Sequence, residues 1–323
     1  MQLKRIVVTG AAGFIGSHLA RHLADLGHDV LGIDDMNPHC DEGLKDLRRK
    51  HLGDGVRFAK ISITDQVALG RVFEEHRPDS VCHLAALAGV RYSVEHPLAY
   101  TETNVNGTAS VFETAYRHGV SRVLFASSSS VYGMRPVGEA FHENDPANTP
   151  VSVYAATKRA GELIASAYCQ LHAMDITCFR LFTVYGPFGR PDMAVLRFAR
   201  AIDSGLPLEL YNNGASYRDY TYVGDIVDGF TSALERPKGY GIINLGRGEP
   251  VRTDALVRLI EHALGKRARI QPMPMQPGDV ERTLANIAKA KAVIGYAPSV
   301  PIEKGIELFA AWYREFYPAI GNS

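Results

Sequence analysis

Short apolar runs alternate with longer amphipathic segments from the start of the chain. The runs at about Arg5 to Thr9, Val30 to Ile33, Val56 to Lys60, Ser80 to Leu84, Val123 to Ser127 and Ile176 to Arg180 have the length and side chains of strands. Between them, Ile15 to Leu26, Asp65 to His76, Leu98 to His118 and Val153 to His172 read as helices, and Gly27 and Pro78 supply stops for the first two. This alternation predicts a parallel sheet covered by helices on both faces.

Beyond Phe182 the texture changes. Tyr185-Gly186-Pro187, Gly189-Arg190-Pro191, Asn212-Asn213-Gly214 and Pro272 to Gly278 mark loops between shorter elements. The expected organisation is a sheet domain over 1–182 and a smaller, interleaved lobe over 183–323. Strand-like Gly241 to Leu245 and helix-like Thr253 to Leu264 would return to the sheet, so that about 225–265 joins the first domain. At 323 residues the chain is large enough for two joined cores.

The string Gly10-Ala11-Ala12-Gly13-Phe14-Ile15-Gly16 links the first strand to the first helix. Glycines at this spacing allow a tight turn, a close backbone approach to a pyrophosphate and close packing of helix on strand. The helix N-terminus then offers N–H groups and a positive dipole end to phosphate. Asp34 ends the second strand, where a carboxylate can accept hydrogen bonds from an adenosine ribose and repels a 2′-phosphate. These features point to NAD rather than NADP. The expected fold class is α/β: a Rossmann-type doubly wound parallel sheet with a smaller C-terminal substrate-binding lobe.

Tyr154-Ala155-Ala156-Thr157-Lys158 places a phenol and an ammonium one helical turn apart on the same face. It follows Ser127-Ser128-Ser129-Ser130 at the end of the fifth strand, the edge of a parallel sheet where ligands bind. An ammonium and an oxidised nicotinamide nearby would both lower the pKa of Tyr154 toward that of a useful general base. Lys158 can also hold the nicotinamide ribose, and Ser128 is the serine expected to orient the substrate oxygen.

Equal numbers of basic and acidic residues, 35 each, give no field to gather nucleic acid or anionic lipid. No apolar stretch is long enough to span a bilayer, and Met1-Gln2-Leu3-Lys4-Arg5 runs directly into a strand, so the expected location is cytoplasmic. Cys40, Cys82, Cys169 and Cys178 lack metal-site or Cys-x-x-Cys spacing and read as reduced thiols. His18 and His22 share a helix face without acidic or cysteine companions, so no metal is expected.

With these motifs the chain resembles an extended short-chain dehydrogenase/reductase over nearly its whole length. Further matching strings are His83-Leu84-Ala85-Ala86, Asn104-Val105-Asn106-Gly107-Thr108, Ser130-Val131-Tyr132-Gly133 and Tyr217-Arg218-Asp219-Tyr220-Thr221-Tyr222-Val223. Two more, Ala88-Gly89-Val90-Arg91-Tyr92-Ser93 and the stretch Phe182 to Ala194 around Gly189-Arg190-Pro191-Asp192-Met193, are similar to UDP-glucuronate 4-epimerases.

The resemblance implies cofactor contacts from Gly10, Gly13, Phe14, Ile15, Gly16, Asp34, Asn37, Ser62, Ile63, Leu84, Ala85, Ala86, Asn104, Tyr154 and Lys158. It implies substrate contacts from Arg91, Ser128, Ser129, Ser130, Thr183 and Arg190, with Arg218 and Arg282 on the UDP diphosphate. Ile61-Ser62-Ile63 departs from the family's Gly-Asp-Ile, so Ser62 would give adenine an uncharged contact in place of a carboxylate. Helices near Leu98 to His118 and Val153 to His172, with small residues Ala156, Ala160, Gly161 and Ala165, would form a homodimer surface or pack on the sheet.

Relatives that dehydrate carry an Asp-Glu pair before Val-Tyr-Gly, and decarboxylating ones a glutamate. Here Ser129 and Ser130 stand there, and neither can act as acid or base near neutral pH unaided. The resemblance therefore implies return of the hydride and inversion at C4, with Ser129, Ser130 and Thr183 restraining the sugar carboxylate. A UDP-glucose 4-epimerase, a UDP-glucuronate decarboxylase and a non-catalytic NAD-sensing protein are the competing readings.

Overall fold

The computed structural model describes residues 3–37, 42–134, 138–236, 238–275 and 280–317. Cys40 and part of the Pro272 to Gly278 loop lie outside them. Twelve strands occur among the described residues: β1 Arg5–Thr9, β2 Asp29–Asp34, β3 Val56–Lys60, β4 Ser80–His83, β5 Arg122–Ser128 and β6 Asp175–Leu181 come first. They are followed by β7 Thr183–Tyr185, β8 Pro207–Tyr211, β9 Tyr217–Tyr222, β10 Gly241–Leu245, β11 Pro250–Arg252 and β12 Arg269–Met273.

Seven strands form one sheet in the order β3-β2-β1-β4-β5-β6-β10, every pairing parallel. Parallel neighbours require crossovers, and the helices that make them cover both faces. On one face, Leu19 and Leu23 pack with Ile226 and Phe230 from helix Val223–Ala233. On the other, Phe73, Phe112 and Ala165 come from helices Gln66–His76, Gly107–Arg117 and Val153–His172.

A second core lies outside the sheet. Val195 and Phe198 of helix Ala194–Asp203, Leu256 and Ile260 of Thr253–Leu264, and Phe309 and Trp312 of Ile302–Phe316 close around it. This corrects one expectation: β10 does return to the sheet edge beside β6, but helix Thr253–Leu264 stays with the second core, because its apolar stripe matches the helices flanking it there. Pro272 also sits in a strand; among the described residues β12 pairs with β8 alone, so a missing N–H is tolerated.

The run expected as one helix from Leu98 to His118 is continuous but changes pitch, with π-helical turns over Thr101–Asn106 between Pro97–Tyr100 and Gly107–Arg117. Such turns gather at functional sites. In helix Val153–His172, Gly161 faces the Phe125 ring and Ala165 is fully buried, so these two serve packing on the sheet; Leu163 and Leu171 are its exposed large apolar residues.

Candidate active site

A cleft opens at the carboxyl ends of β1 and β4, where the strand order reverses and α/β sheets bind ligands. Gly10, Gly13, Phe14, Ile15 and Gly16 form its floor, Asp34, Asn37 and Ile63 one end, Leu84, Ala85 and Ala86 a wall, and Tyr154, Lys158 and Arg190 the other end.

Gly10 has φ +73°, and a Cβ there would stand 2.7 Å from Ala85 N. A Cβ on Gly16 would collide with the Gly10 carbonyl oxygen. Both glycines are thus required to bring the helix this close to the turn. No side chain caps helix Phe14–Asp25 and no acidic residue occupies its first turn. Its first N–H groups face the cleft with the positive end of the helix dipole, a donor set that fits a pyrophosphate.

At the ribose end, Asp34 is 6% exposed and accepts from Ala12 N at 3.0 Å and Met36 N at 2.9 Å. Lys45 pairs with it at 2.8 Å and donates to Asn37 O at 3.1 Å. Lys45 and Arg48 line the cleft and were missed from sequence. Their only signal was an i, i+3 spacing on the basic helix Glu42–His51.

Ser62 does not line the cleft; its Oγ bonds Thr64 Oγ1 at 2.8 Å and accepts from Thr64 N, a local turn, and Ile61 and Ile63 face the cleft instead. Asn104 is 1% exposed and already fully engaged. Its Oδ1 accepts from Leu87 N at 2.8 Å, and its Nδ2 donates to Leu87 O at 2.9 Å and Thr157 Oγ1 at 3.0 Å. It therefore ties the segment after β4 to helix Val153–His172, supporting the cleft wall without lining it.

At the other end, the N-terminus of helix Val153–His172 is capped by Ser152, whose Oγ accepts from Ala155 N at 3.1 Å, which presents Tyr154 one residue later. Burial pushes the Tyr154 phenol above its ordinary pKa, while the Arg190 charge and a hydrogen bond with Ser128 pull it back. Ser128 Oγ also donates to Ser130 Oγ at 3.0 Å. Arg190 holds Asp192 through one guanidinium edge, Nε to Oδ1 and Nη2 to Oδ2.

Lys158 lines the cleft and is anchored to the sheet beneath it. Its Nζ donates to Ala126 O at 2.7 Å, lies 5.0 Å from the centroid of the Phe125 ring, and is only 4% exposed. Burial lowers its pKa to about 7. Of the two cations, Arg190 is the one whose charge lowers the phenol's pKa, opposed by that of Asp192, while the Lys158 ammonium is held on the β5 carbonyl of Ala126.

The remaining expected residues lie outside this cleft. Thr183 begins β7 opposite Tyr220, and Ser129 and Ser130 are half-buried in the 3-10 turn after β5. Arg91 lies over the Tyr211 ring at 5.8 Å. Arg218 donates to Tyr217 O at 2.8 Å, and Tyr217 bridges Arg282, whose buried Nε has no hydrogen-bond partner among the described residues.

The sheet order and the cleft define an extended short-chain dehydrogenase/reductase. Residues 6–246 match the NAD dependent epimerase/dehydratase family, and the chain belongs to it. It is 40% identical to the UDP-glucuronate 4-epimerase of Thermodesulfobacterium geofontis over 96% of both chains. Among solved structures it is similar to UDP-glucuronic acid 4-epimerase from Bacillus cereus in complex with UDP-glucuronic acid and NAD, with a TM-score of 0.89, 32% identity and coverage of 97% and 99%. Thermus thermophilus UDP-glucose 4-epimerase complexed with NAD gives a TM-score of 0.88 at 35% identity, with the same coverage.

Among the described residues, no helix is long and apolar enough to cross a membrane, and no group of three or more His, Cys, Asp or Glu side chains is placed to hold a metal.

Proposed function

We propose that this chain is a UDP-glucuronate 4-epimerase, converting UDP-glucuronate to UDP-galacturonate through a transient 4-keto sugar. The observation that carries the reading is the meeting of Tyr154 and Arg190 at one end of the glycine-floored cleft, with Ser128 hydrogen-bonded to the phenol and serines where elimination chemistry needs carboxylates. NAD bound in that cleft supplies the hydride acceptor at C4 and then the donor, so net redox is zero.

Tyr154 takes the C4 hydroxyl proton and returns it, with Arg190 favouring its phenolate. Ser128 orients the C4 oxygen. Lys158, in the cleft lining, would hold the nicotinamide ribose, Gly13 to Gly16 the pyrophosphate, and Asp34 with Lys45 the adenosine ribose. Arg218 and Arg282 grip the UDP diphosphate, and the unpartnered Arg282 Nε is the donor that supports this. Arg91 lies near the nucleotide, and Thr183, Ser129 and Ser130 hold the carboxylate.

A 4-keto glucuronate is a β-keto acid and loses carbon dioxide when its carboxylate bond aligns with the carbonyl π system. Hydroxyls that keep the carboxylate out of that alignment preserve the epimerase outcome. Two copies of the chain pair through the exposed apolar residues Leu163 and Leu171, 56% and 76% exposed, with Tyr116 beside them in the same helical layer. The buried, unpaired thiols of Cys82 and Cys178 suit a reducing compartment, the cytoplasm.

Proton NMR of purified protein incubated with UDP-glucuronate and, separately, UDP-glucose tests the assignment. UDP-galacturonate from the first is expected. Turnover of UDP-glucose alone would overturn the substrate, and a UDP-pentose as main product would overturn the reaction class.

A further inference from the structure

The helix Glu42–His51 belongs by sequence to the dinucleotide half, yet it touches both halves of the protein. Leu44 is fully buried in the second core, Lys45 pairs with Asp34 at the ribose end of the cleft, and Arg48 reaches the other way. Arg48 is 2% exposed, and its Nε donates to Phe188 O at 2.9 Å and its Nη2 to Gly189 O at 3.1 Å. The next residue is Arg190.

The preceding carbonyl is held as well, since His18 Nε2 donates to Pro187 O at 2.9 Å. Three successive carbonyls before Arg190 thus accept bonds from side chains of the N-terminal half. Phe188 between them has φ +58°, a left-handed conformation that a bulky residue adopts only when its surroundings impose it. Its ring is wedged against His51 at 4.5 Å and Trp312 at 5.2 Å between centroids. A buried guanidinium on two backbone carbonyls, in place of a carboxylate, is a directional fastening, because its planar fork fixes both acceptors at once.

We propose that Arg48 is a positioning residue that latches helix Glu42–His51, at the side of the dinucleotide cleft, onto the loop presenting Arg190, so that retention of NAD and placement of Arg190 depend on one element. The proposal rests on the reading of the cleft as an NAD site. Lys45 and Arg48 of this helix line the cleft, so a movement of the helix that widens the cleft breaks both carbonyl bonds.

The test is the rate of NAD release, followed by loss of cofactor fluorescence after the holoenzyme is reduced and diluted into excess unlabelled NAD. Arg48→Met removes the fork, and Arg48→Lys keeps the charge but cannot hold both carbonyls. Arg48→Lys is expected to release the dinucleotide faster by on the order of tenfold, the effect of losing one charge-assisted bond, and Arg48→Met by at least as much. Wild-type release rates in the folded variants would overturn the latch.

If neither variant folds, hydrogen exchange of the wild type decides. NAD must slow exchange in 43–51 and 187–190 together, and protection confined to 43–51 would overturn the coupling. A wild type that binds no NAD overturns the cofactor reading and the latch with it. A wild type that binds NAD beside unaffected variants overturns the latch alone.

Discussion

Arg180 and Glu162 form a two-bond fork directly behind the serine run, Nε to Oε1 at 2.9 Å and Nη2 to Oε2 at 2.8 Å, with both residues at most 1% exposed. Burial alone would raise the Glu162 pKa, but the Arg180 bonds and charge outweigh it and hold the carboxyl below its ordinary value. Ser127 Oγ adds a bond to Oε1 at 2.7 Å and Arg159 one to Oε2 at 2.9 Å, so the carboxylate anchors the end of β5.

Removing one partner strands the other charge. Glu162→Ala is expected to cost ~3–5 kcal/mol of unfolding free energy, whereas the double change Arg180→Met with Glu162→Leu costs less than the two single changes together. Urea titration measures both. A Glu162→Ala loss below ~1 kcal/mol would show that the pair contributes little.

The phenol and Arg190 are coupled through charge. Tyr154→Phe should lower kcat by about 100-fold or more while NAD still binds. Because Arg190 favours the phenolate, Arg190→Ala moves the rising limb of the kcat–pH profile to higher pH. An unmoved limb would assign the titration to another group.

Lys158 is buried at the expense of stability. Its folded pKa of about 7 lies below the ordinary 10.5, so the unfolded chain binds more protons between these values and stability rises with pH across that window. Lys158→Met should therefore raise the melting temperature of the cofactor-free protein near pH 7, by the equivalent of ~1–3 kcal/mol, while abolishing turnover. A lower melting temperature would mean that the bond to Ala126 O outweighs the buried charge.

Three imidazoles give a second pH dependence. Burial lowers His18 and His51 to about 4 and His83 to about 3. Below pH 6.5 the unfolded chain takes up protons that the folded one refuses, so stability is lost as the pH drops, each histidine adding up to ~1.4 kcal/mol per pH unit. Unfolding midpoints at pH 7 and pH 5 check this, and equal midpoints would contradict it.

The carboxylate restraint has its own readout. Replacing Ser129, Ser130 and Thr183 by alanine, singly and together, should raise the fraction of UDP-pentose formed from UDP-glucuronate. An unchanged product ratio in variants that still bind substrate would remove these hydroxyls from that role.

By itself the sequence determined the sheet and the glycine turn. The strand at Val56 to Lys60 and the helix at Val153 to His172 match their observed bounds, because residue period and turn chemistry act between near neighbours along the chain. Tyr154 and the end of β5 were legible for the same reason. The direction of Lys158, the approach of Arg190 to the phenol, the inward role of Asn104 and the grip of Arg48 on the 188 and 189 carbonyls were not. Each joins residues far apart in the chain, and burial and hydrogen-bond geometry that exist only after packing select among the contacts the sequence allows.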